Sequence, residues 1–397
     1  MTGSQPPFRA DHIGSLLRPQ ELKDAYAAHA AGRMTDAALK DMEDLHIKDA
    51  IALQESVGLQ SITDGEFRRI IYWGHFPKAV SGFTDMGAPL PFKDDSGRQM
   101  TYITAVVTGK LKRERGIAAD EFLYVKSLTQ RTPKCTLPSP CSQHYFRWRE
   151  GVSEQAYPDL DEFFADVARI YRDELRDLAR HGATYVQMDD VSLPLLCDAQ
   201  LREGVKQRGY DPDQLVDRYI ELNNAALQDR PAGLTVGMHL CRGNNQGKWL
   251  GSGGYDFVAE KIFNGLNVDF FCLEYDSPRA GSFEPLRFIP KDKSVVLGLI
   301  CTKTPQLESA DDLQRRINEA SRYVPLERLC LSPQCGFAST APGNPLTFED
   351  QRRKLQLVVE VAADVWDGSG RCAWVVGAVA VAMVKAEALA LRVLTER

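Results

Sequence analysis

The sequence predicts an α/β protein: a (β/α)8 TIM barrel with a hairpin insertion after the second strand. Two observations carry this reading. Short apolar runs alternate along the chain with longer amphipathic stretches, and eight such runs can be placed. Runs such as SVVLGLI are apolar on both faces, as strands covered on both sides require. A doubly wound sheet is the second architecture that fits. No long internal repeat is visible, which argues against a solenoid.

Taken in order, strands are expected near 8–14, 60–65, 135–138, 185–189, 235–240, 270–274, 294–299 and 329–332. Helices are expected over 39–57, 160–181, 213–227, 257–263, 310–323 and 348–365, where apolar residues recur at three- and four-residue steps. Residues 85–115 are rich in Gly, Pro and charge around a β-like YITAVVTG run, and this is the expected hairpin. The barrel is assigned to residues 1–366. The segment 367–397 opens with DGSGR and turns Ala/Val-rich, which fits either an added helix or a non-native tail.

The chain has 397 residues, 44% of them hydrophobic and 26% charged, with a formal net charge of -6. That balance offers no basic stripe for nucleic acid. The N-terminal stretch lacks the apolar run of a signal peptide. The longest apolar stretch, 373–384, is interrupted by Gly377 and falls short of the ~20 residues needed to span a bilayer. A cytoplasmic protein is expected. Its nine cysteines, odd in number and irregularly spaced, read as packing residues, metal ligands or nucleophiles rather than disulfides.

Four residues stand out chemically. His239 and Cys241 close the fifth strand two positions apart and so share a face. Glu274 closes the sixth strand, and Cys335 follows the eighth. Ends of barrel strands converge at one rim. An imidazole, a carboxylate and two thiolates suit zinc in tetrahedral geometry. A zinc ion there would keep a substrate thiol ionised and nucleophilic near neutral pH.

The segments DHIGS (11–15), TDGEFRR (63–69), LPSP (137–140), QMDD (187–190), HLC (239–241), LEYD (273–276) and SPQCG (332–336) occur in one order. On these segments the chain resembles the catalytic half of cobalamin-independent methionine synthase, and more closely its short single-barrel bacterial homologues. The resemblance implies zinc on His239, Cys241, Glu274 and Cys335. It also implies a homocysteine site, with the carboxylate at Ile13, Gly14 and Ser15 and the ammonium at Glu66 and Asp189. His12 lies beside that loop as a further pocket residue. Asp190 is expected either to bind the donor ring or to support Asp189.

Two features depart from the family pattern. The N-terminal barrel that helps hold folate in the long enzymes has no counterpart in this sequence. The family's catalytic histidine, in a His-Ser-Pro segment, is matched by Lys303 within Cys301-Thr302-Lys303-Thr304-Pro305. A lysine there donates a proton only if burial or nearby cations lower its pKa; otherwise it binds an anionic donor. Trp73, Tyr145, Phe146 and Trp148 are stacking candidates, and Arg242 and Asn244 are candidate anion binders.

The function expected is a zinc-dependent methyltransferase that makes methionine from homocysteine, with 5-methyltetrahydrofolate the donor implied by the family. A different zinc-dependent thiol alkyltransferase is the first alternative. A metal-free uroporphyrinogen-decarboxylase-like enzyme is the second. The expected partners are the thiol and a methyl donor, with neither nucleic acid nor membrane; a homodimer is left open.

Overall fold

A computed structural model describes residues 5–93, 97 and 99–367, with side chains described for all of these except 85–93 and 99–103. The Ala/Val-rich stretch assigned to a tail lies, beyond Asp367, outside the described residues. In chain order the strands are β1 (Ser61–Ile62), β2 (Val80–Lys93), β3 (Gln99–Arg113), β4 (Thr132–Pro133), β5 (Cys135–Pro138), β6 (Tyr185–Asp190), β7 (Thr235–Leu240), β8 (Phe270–Glu274), β9 (Ser294–Ile300) and β10 (Leu329–Pro333). Strands β5 to β10 form one parallel sheet in sequence order. Each is buried along nearly its whole length, which is why the apolar runs lack a polar face. β2 and β3 pair antiparallel, from Val80 opposite Arg113 to Lys93 opposite Gln99.

Helices connect the sheet strands as parallel crossovers require. Helix Leu160–Arg180 begins at Asp159, whose side chain accepts the Asp161 N–H. It buries Phe163, Val167, Ile170, Tyr171, Leu175 and Leu178 on one stripe. Its buried Glu174 accepts the N–H groups of Ile117 and Ala118 and pairs with Arg113, fastening the end of β3 to the helix. Helix Phe348–Ala362 starts with a capping box between Thr347 and Asp350. No described helix is long and apolar enough to cross a membrane.

The expectation of eight strands is met by fewer regular ones. The first predicted strand contributes a single parallel bridge, Ala10 to Leu331 of β10. The second shrinks to the two residues of β1, which pair with β4. Side chains replace the missing ladder. Asp11 Oδ1 accepts from Ser61 Oγ at 2.7 Å, from His12 N at 2.7 Å and from Lys134 Nζ at 3.1 Å. Asp11 Oδ2 accepts from the Tyr185 hydroxyl. Thr63 Oγ1 donates to the Gly14 carbonyl at 2.7 Å. The Gln54 amide clasps Thr63 by both its N–H and its carbonyl, at 2.9 Å each. A strand-like sequence can lose its ladder where polar side chains offer the backbone other partners.

Lys134 and Asp11 are almost wholly buried, at 0% and 1% side-chain exposure. Removing one partner of such a pair strands a buried charge. Lys134→Met is therefore expected to destabilise the fold by about 3–5 kcal/mol, read as a lower urea midpoint with the slope unchanged. A midpoint equal to that of the unaltered protein would show that the seam does not depend on the pair.

Candidate active site

The site is assembled from strand ends. β6 ends on Asp189 and Asp190, and Asp189 stands in register with His239 on β7. Cys241 follows β7 directly, and Cys335 follows β10 by two residues. The ligand atoms of His239, Cys241 and Cys335 lie within 4.8 Å of one another, and all three residues are buried. The two sulfurs are 3.9 Å apart.

Asp189 orients the imidazole. Its Oδ1 lies 2.9 Å from His239 Nδ1 and also accepts from Gln187 Nε2 at 2.7 Å. A carboxylate on Nδ1 leaves Nε2 as the nitrogen for a metal. Nε2 faces the Gln334 carbonyl oxygen at 3.2 Å, so a proton or a cation must lie on it. Burial works against charge on His239, yet the Asp189 hydrogen bond and the Cys335 sulfur raise its pKa. The two cysteines titrate as a pair. The hydrogen bond between the two sulfurs pulls Cys335 down to about 6, with help from His239 and Lys303, while the same bond and burial push Cys241 up. One imidazole and two sulfurs, one of them readily ionised, are a donor set that fits zinc.

Glu274 is not in this group. Its Oε2 accepts the Arg242 backbone N–H at 2.6 Å; its Oε1 accepts from Arg279 Nη2 at 2.7 Å and lies 3.5 Å from Lys303 Nζ. Burial opposes its charge, but Lys303, Arg242 and Arg279 bring its pKa down to about 2. Lys303 is buried behind Glu274 and is not among the residues lining the cavity described below. Burial lowers the Lys303 pKa, but Glu274 and Asp276 more than reverse this. The condition under which this lysine would donate a proton is therefore not met.

A cavity opens onto the three ligand residues. Its polar lining includes Ser15, Glu66 and Asp189 as well as the His/Cys/Cys group. Its apolar and aromatic lining includes Ile71, Tyr72, Trp73, Phe146, Val191 and Leu250. Trp73 and Phe146 pack at a centroid distance of 4.8 Å. Tyr145 and Trp148, the other stacking candidates, pack on each other and are not among the lining residues.

Glu66 sits at φ 60°, a left-handed conformation uncommon outside glycine. Asp64 Oδ1 accepts its N–H at 2.8 Å, and Arg18 Nη2 donates to its carbonyl at 2.7 Å. Its Oε1 accepts from Thr136 Oγ1 at 2.8 Å, while its buried Oε2 has no partner. Burial, only partly offset by Arg69, joins Asp189 in raising the Glu66 pKa to about 7. Gly14, at φ +142°, makes room for this carboxylate: a Cβ there would stand 2.7 Å from Thr136 Cγ2 and 3.2 Å from Glu66 Oε1.

Ile13 and Ser15 line the cavity, whereas His12 and Gly14 do not. The His12 Nε2 rests 3.1 Å from the Ser61 carbonyl oxygen; burial and then Lys134 lower its pKa to about 4, keeping the ring neutral. Asp190 lines the cavity, but its oxygens are engaged by Ser139, Cys141, Ser192 and the Leu193 N–H. Asn244 also lines it and donates to the Gly336 carbonyl at 2.8 Å, while Arg242 is spent on Glu274 and the Gly253 carbonyl. Sequence reasoning missed Thr136, Gln334, Tyr72 and Arg279. Only Arg279 left a trace, as a cation five residues beyond Glu274.

Residues 8–364 match the family model described as "Cobalamin-independent synthase, Catalytic domain". The uncharacterized protein YxjH of Bacillus subtilis (strain 168) is 43% identical over 367 residues, covering 91% of this chain and 95% of YxjH. A methionine synthase of Pyrococcus abyssi (strain GE5 / Orsay) is 28% identical over 332 residues, covering 82% of this chain and 85% of its own. A crystal structure from Listeria monocytogenes, of a protein assigned as a vitamin-B12 independent methionine synthase, superposes with a TM-score of 0.69. It is 33% identical and covers 91% of this chain and 99% of that one. A B12-independent methionine synthase from Shewanella sp. W3-18-1 has the same fold, with a TM-score of 0.70 at 19% identity, covering 91% of this chain and 98% of that one. By the extent of these matches, this chain belongs to the cobalamin-independent methionine synthase family.

Proposed function

We propose that the protein is a zinc-dependent methyltransferase that moves a methyl group to the thiol of homocysteine, giving methionine, on a closed (β/α)8 barrel. One observation carries this reading: the His239/Cys241/Cys335 group and the unpartnered Glu66 Oε2 face one cavity. A thiol-activating centre and an ammonium receptor thus border the same cavity. The family name carried by the Pyrococcus relative agrees with it. Membership of this family leaves the metal-free uroporphyrinogen-decarboxylase-like reading without support.

His239 Nε2 and the two sulfurs would hold the ion. Zinc, when bound, supplies a Lewis acid that keeps a thiol ionised near neutral pH. The chain's own residues do the rest. Asp189 fixes the imidazole and, with Glu66, receives the substrate ammonium through charge-assisted hydrogen bonds. The Ser15 hydroxyl and the backbone around Ile13 meet the carboxylate. The aromatic side of the cavity seats the donor and excludes water, so that its methyl group faces the thiol sulfur. In the transfer an S–CH3 bond forms and the donor–CH3 bond breaks, the electron pair leaving with the donor, which then takes up a proton. The family's usual donor is 5-methyltetrahydrofolate. Lys303, pairing with Glu274 rather than facing the cavity, favours a donor whose leaving group needs no protonation by that residue.

Purified without chelators, the protein is expected to carry about one zinc per chain, as a single catalytic site would. Cys335→Ser should lose both metal and activity, and a Cys335→Ser protein that keeps both refutes the site. Glu66→Gln is expected to weaken homocysteine binding by about 10–100-fold, the worth of one charged hydrogen bond, with zinc retained. Unchanged affinity would show that the ammonium lies elsewhere.

The ammonium needs Glu66 ionised, and its pKa of about 7 means that it is largely protonated in slightly acidic solution. Homocysteine affinity should therefore rise as pH increases through about 7. Glu66→Gln should flatten that rise, as followed by calorimetry across the pH series. A screen of methyl donors with homocysteine as acceptor, scored by methionine formed, identifies the donor. Failure of every donor, folates included, would count against methyl transfer.

A further inference from the structure

We infer that the methyl donor is an onium compound, a sulfonium or quaternary ammonium cation whose leaving group departs neutral. The inference rests on the methyltransferase reading above and deepens it by naming the donor's chemical class. Among the described residues, no lysine or arginine lines the cavity, whereas three carboxylates do: Glu66, Asp189 and Asp190. Homocysteine brings one ammonium, which Glu66 and Asp189 receive. Asp190 is met by the Ser139 and Ser192 hydroxyls, the Cys141 thiol and the Leu193 N–H, none of them a cation. A donor that carries positive charge supplies the counter-ion that Asp190 lacks.

The unfilled polar atoms point the same way. On the residues that line the cavity, the buried side-chain atoms without a hydrogen-bond partner are Glu66 Oε2, the Tyr72 hydroxyl and Asn244 Oδ1. All three are oxygens. The carbons bonded to a sulfonium or ammonium centre carry much of its positive charge, and they settle against oxygen atoms and aromatic faces. Tyr72 and Trp73 meet edge to face at a centroid distance of 4.9 Å, and Phe146 continues the aromatic wall. Backbone contacts hold that wall to the loop after β10: the Tyr72 N–H donates to the Ser339 carbonyl at 2.9 Å, and Ile71 bridges to Thr340.

An onium donor also removes the need for an acid. The lysine in the family histidine's place pairs with Glu274 behind the cavity. With an onium, the thiolate sulfur forms its bond to the methyl carbon and the bond from that carbon to the donor's sulfur or nitrogen breaks. The electron pair leaves on a neutral thioether or tertiary amine, which requires no proton. The thiol proton of homocysteine goes to solvent, so one proton is released per turnover. Transfer from a neutral N-methyl amine releases none, because the departing amine takes that proton up.

The test uses the full chain supplied with zinc and homocysteine. S-methylmethionine, dimethylsulfoniopropionate, glycine betaine and 5-methyltetrahydrofolate are offered singly, and methionine, the demethylated product and proton release are followed. An onium should give the highest kcat/KM, with proton release matching methionine formed; the separate arms distinguish sulfur from nitrogen. A higher kcat/KM for the methylfolate overturns the inference and leaves the methyltransferase reading standing. Binding of choline and of its neutral carbon isostere, dimethylbutanol, gives an independent readout. Choline should bind about 10-fold more tightly, as a desolvated cation–π contact provides, and Tyr72→Leu should shrink that ratio with zinc retained. Equal affinity of the two for the unaltered chain overturns the inference, whether or not Tyr72→Leu folds. A chain that binds neither zinc nor homocysteine overturns the methyltransferase reading itself, which keeps the two failures apart.

Discussion

The site depends on a seam closed by the Asp11 carboxylate. Where the first segment should pair with β1 by a backbone ladder, it is joined by side chains. Asp11 reaches Ser61 of β1, Lys134 just before β5 and Tyr185 of β6. Two residues further on, the same segment turns through Ile13, Gly14 and Ser15 into the cavity. The position of this turn is thus set by a buried ion pair to Lys134 and hydrogen bonds from two strands. Such a network is rigid when fully satisfied and expensive when broken.

Charge in the rim is sorted into two compartments. Arg242, Arg279 and Lys303 gather around Glu274, while Asp189, Glu66 and the two cysteines face the cavity. Opposite charges are thereby satisfied behind the site, while the cavity is lined by acidic and thiol groups that a metal ion and an ammonium would engage. The elevated Glu66 pKa and the depressed Glu274 pKa are two sides of this sorting: one carboxylate has few cations nearby and the other has three.

Much of this was legible in the chain. Strand β7 and its His-x-Cys ending could be read because strand alternation fixes which side chains share a face. Asp189, His239, Glu274 and Cys335 could be placed at one rim because parallel strands end together. The first two strands were over-read: their apolar pattern is real, but Thr63, Gln54 and Asp11 divert the backbone from a ladder, and no periodicity records that. Glu274 was assigned by type and position, and its type was uninformative about which neighbour it would choose. Its partners come from loops after β7, β8 and β9, and their approach is a tertiary fact. Asp190 likewise looks like a free carboxylate until Ser139, Cys141 and Ser192 are seen around it. Lys303 was conspicuous as a residue out of pattern, and its contact with Glu274 gives that departure a physical meaning.

The approach of Gly336 to Ser15 links the beginning of the described chain to its end. A Cβ on Gly336 would fall 1.9 Å from Ser15 Oγ, and the Phe337 N–H donates to the Ser15 carbonyl at 2.8 Å. The pocket wall therefore joins residues that lie far apart in the chain. On the ribosome, where N-terminal segments emerge and begin to fold first, the Ser15 turn must wait until Gly336 has cleared the exit tunnel. The binding pocket is accordingly completed only once residues 335 and 336 are made, and shorter nascent chains hold the Cys241 thiol without the Cys335 partner that completes the site.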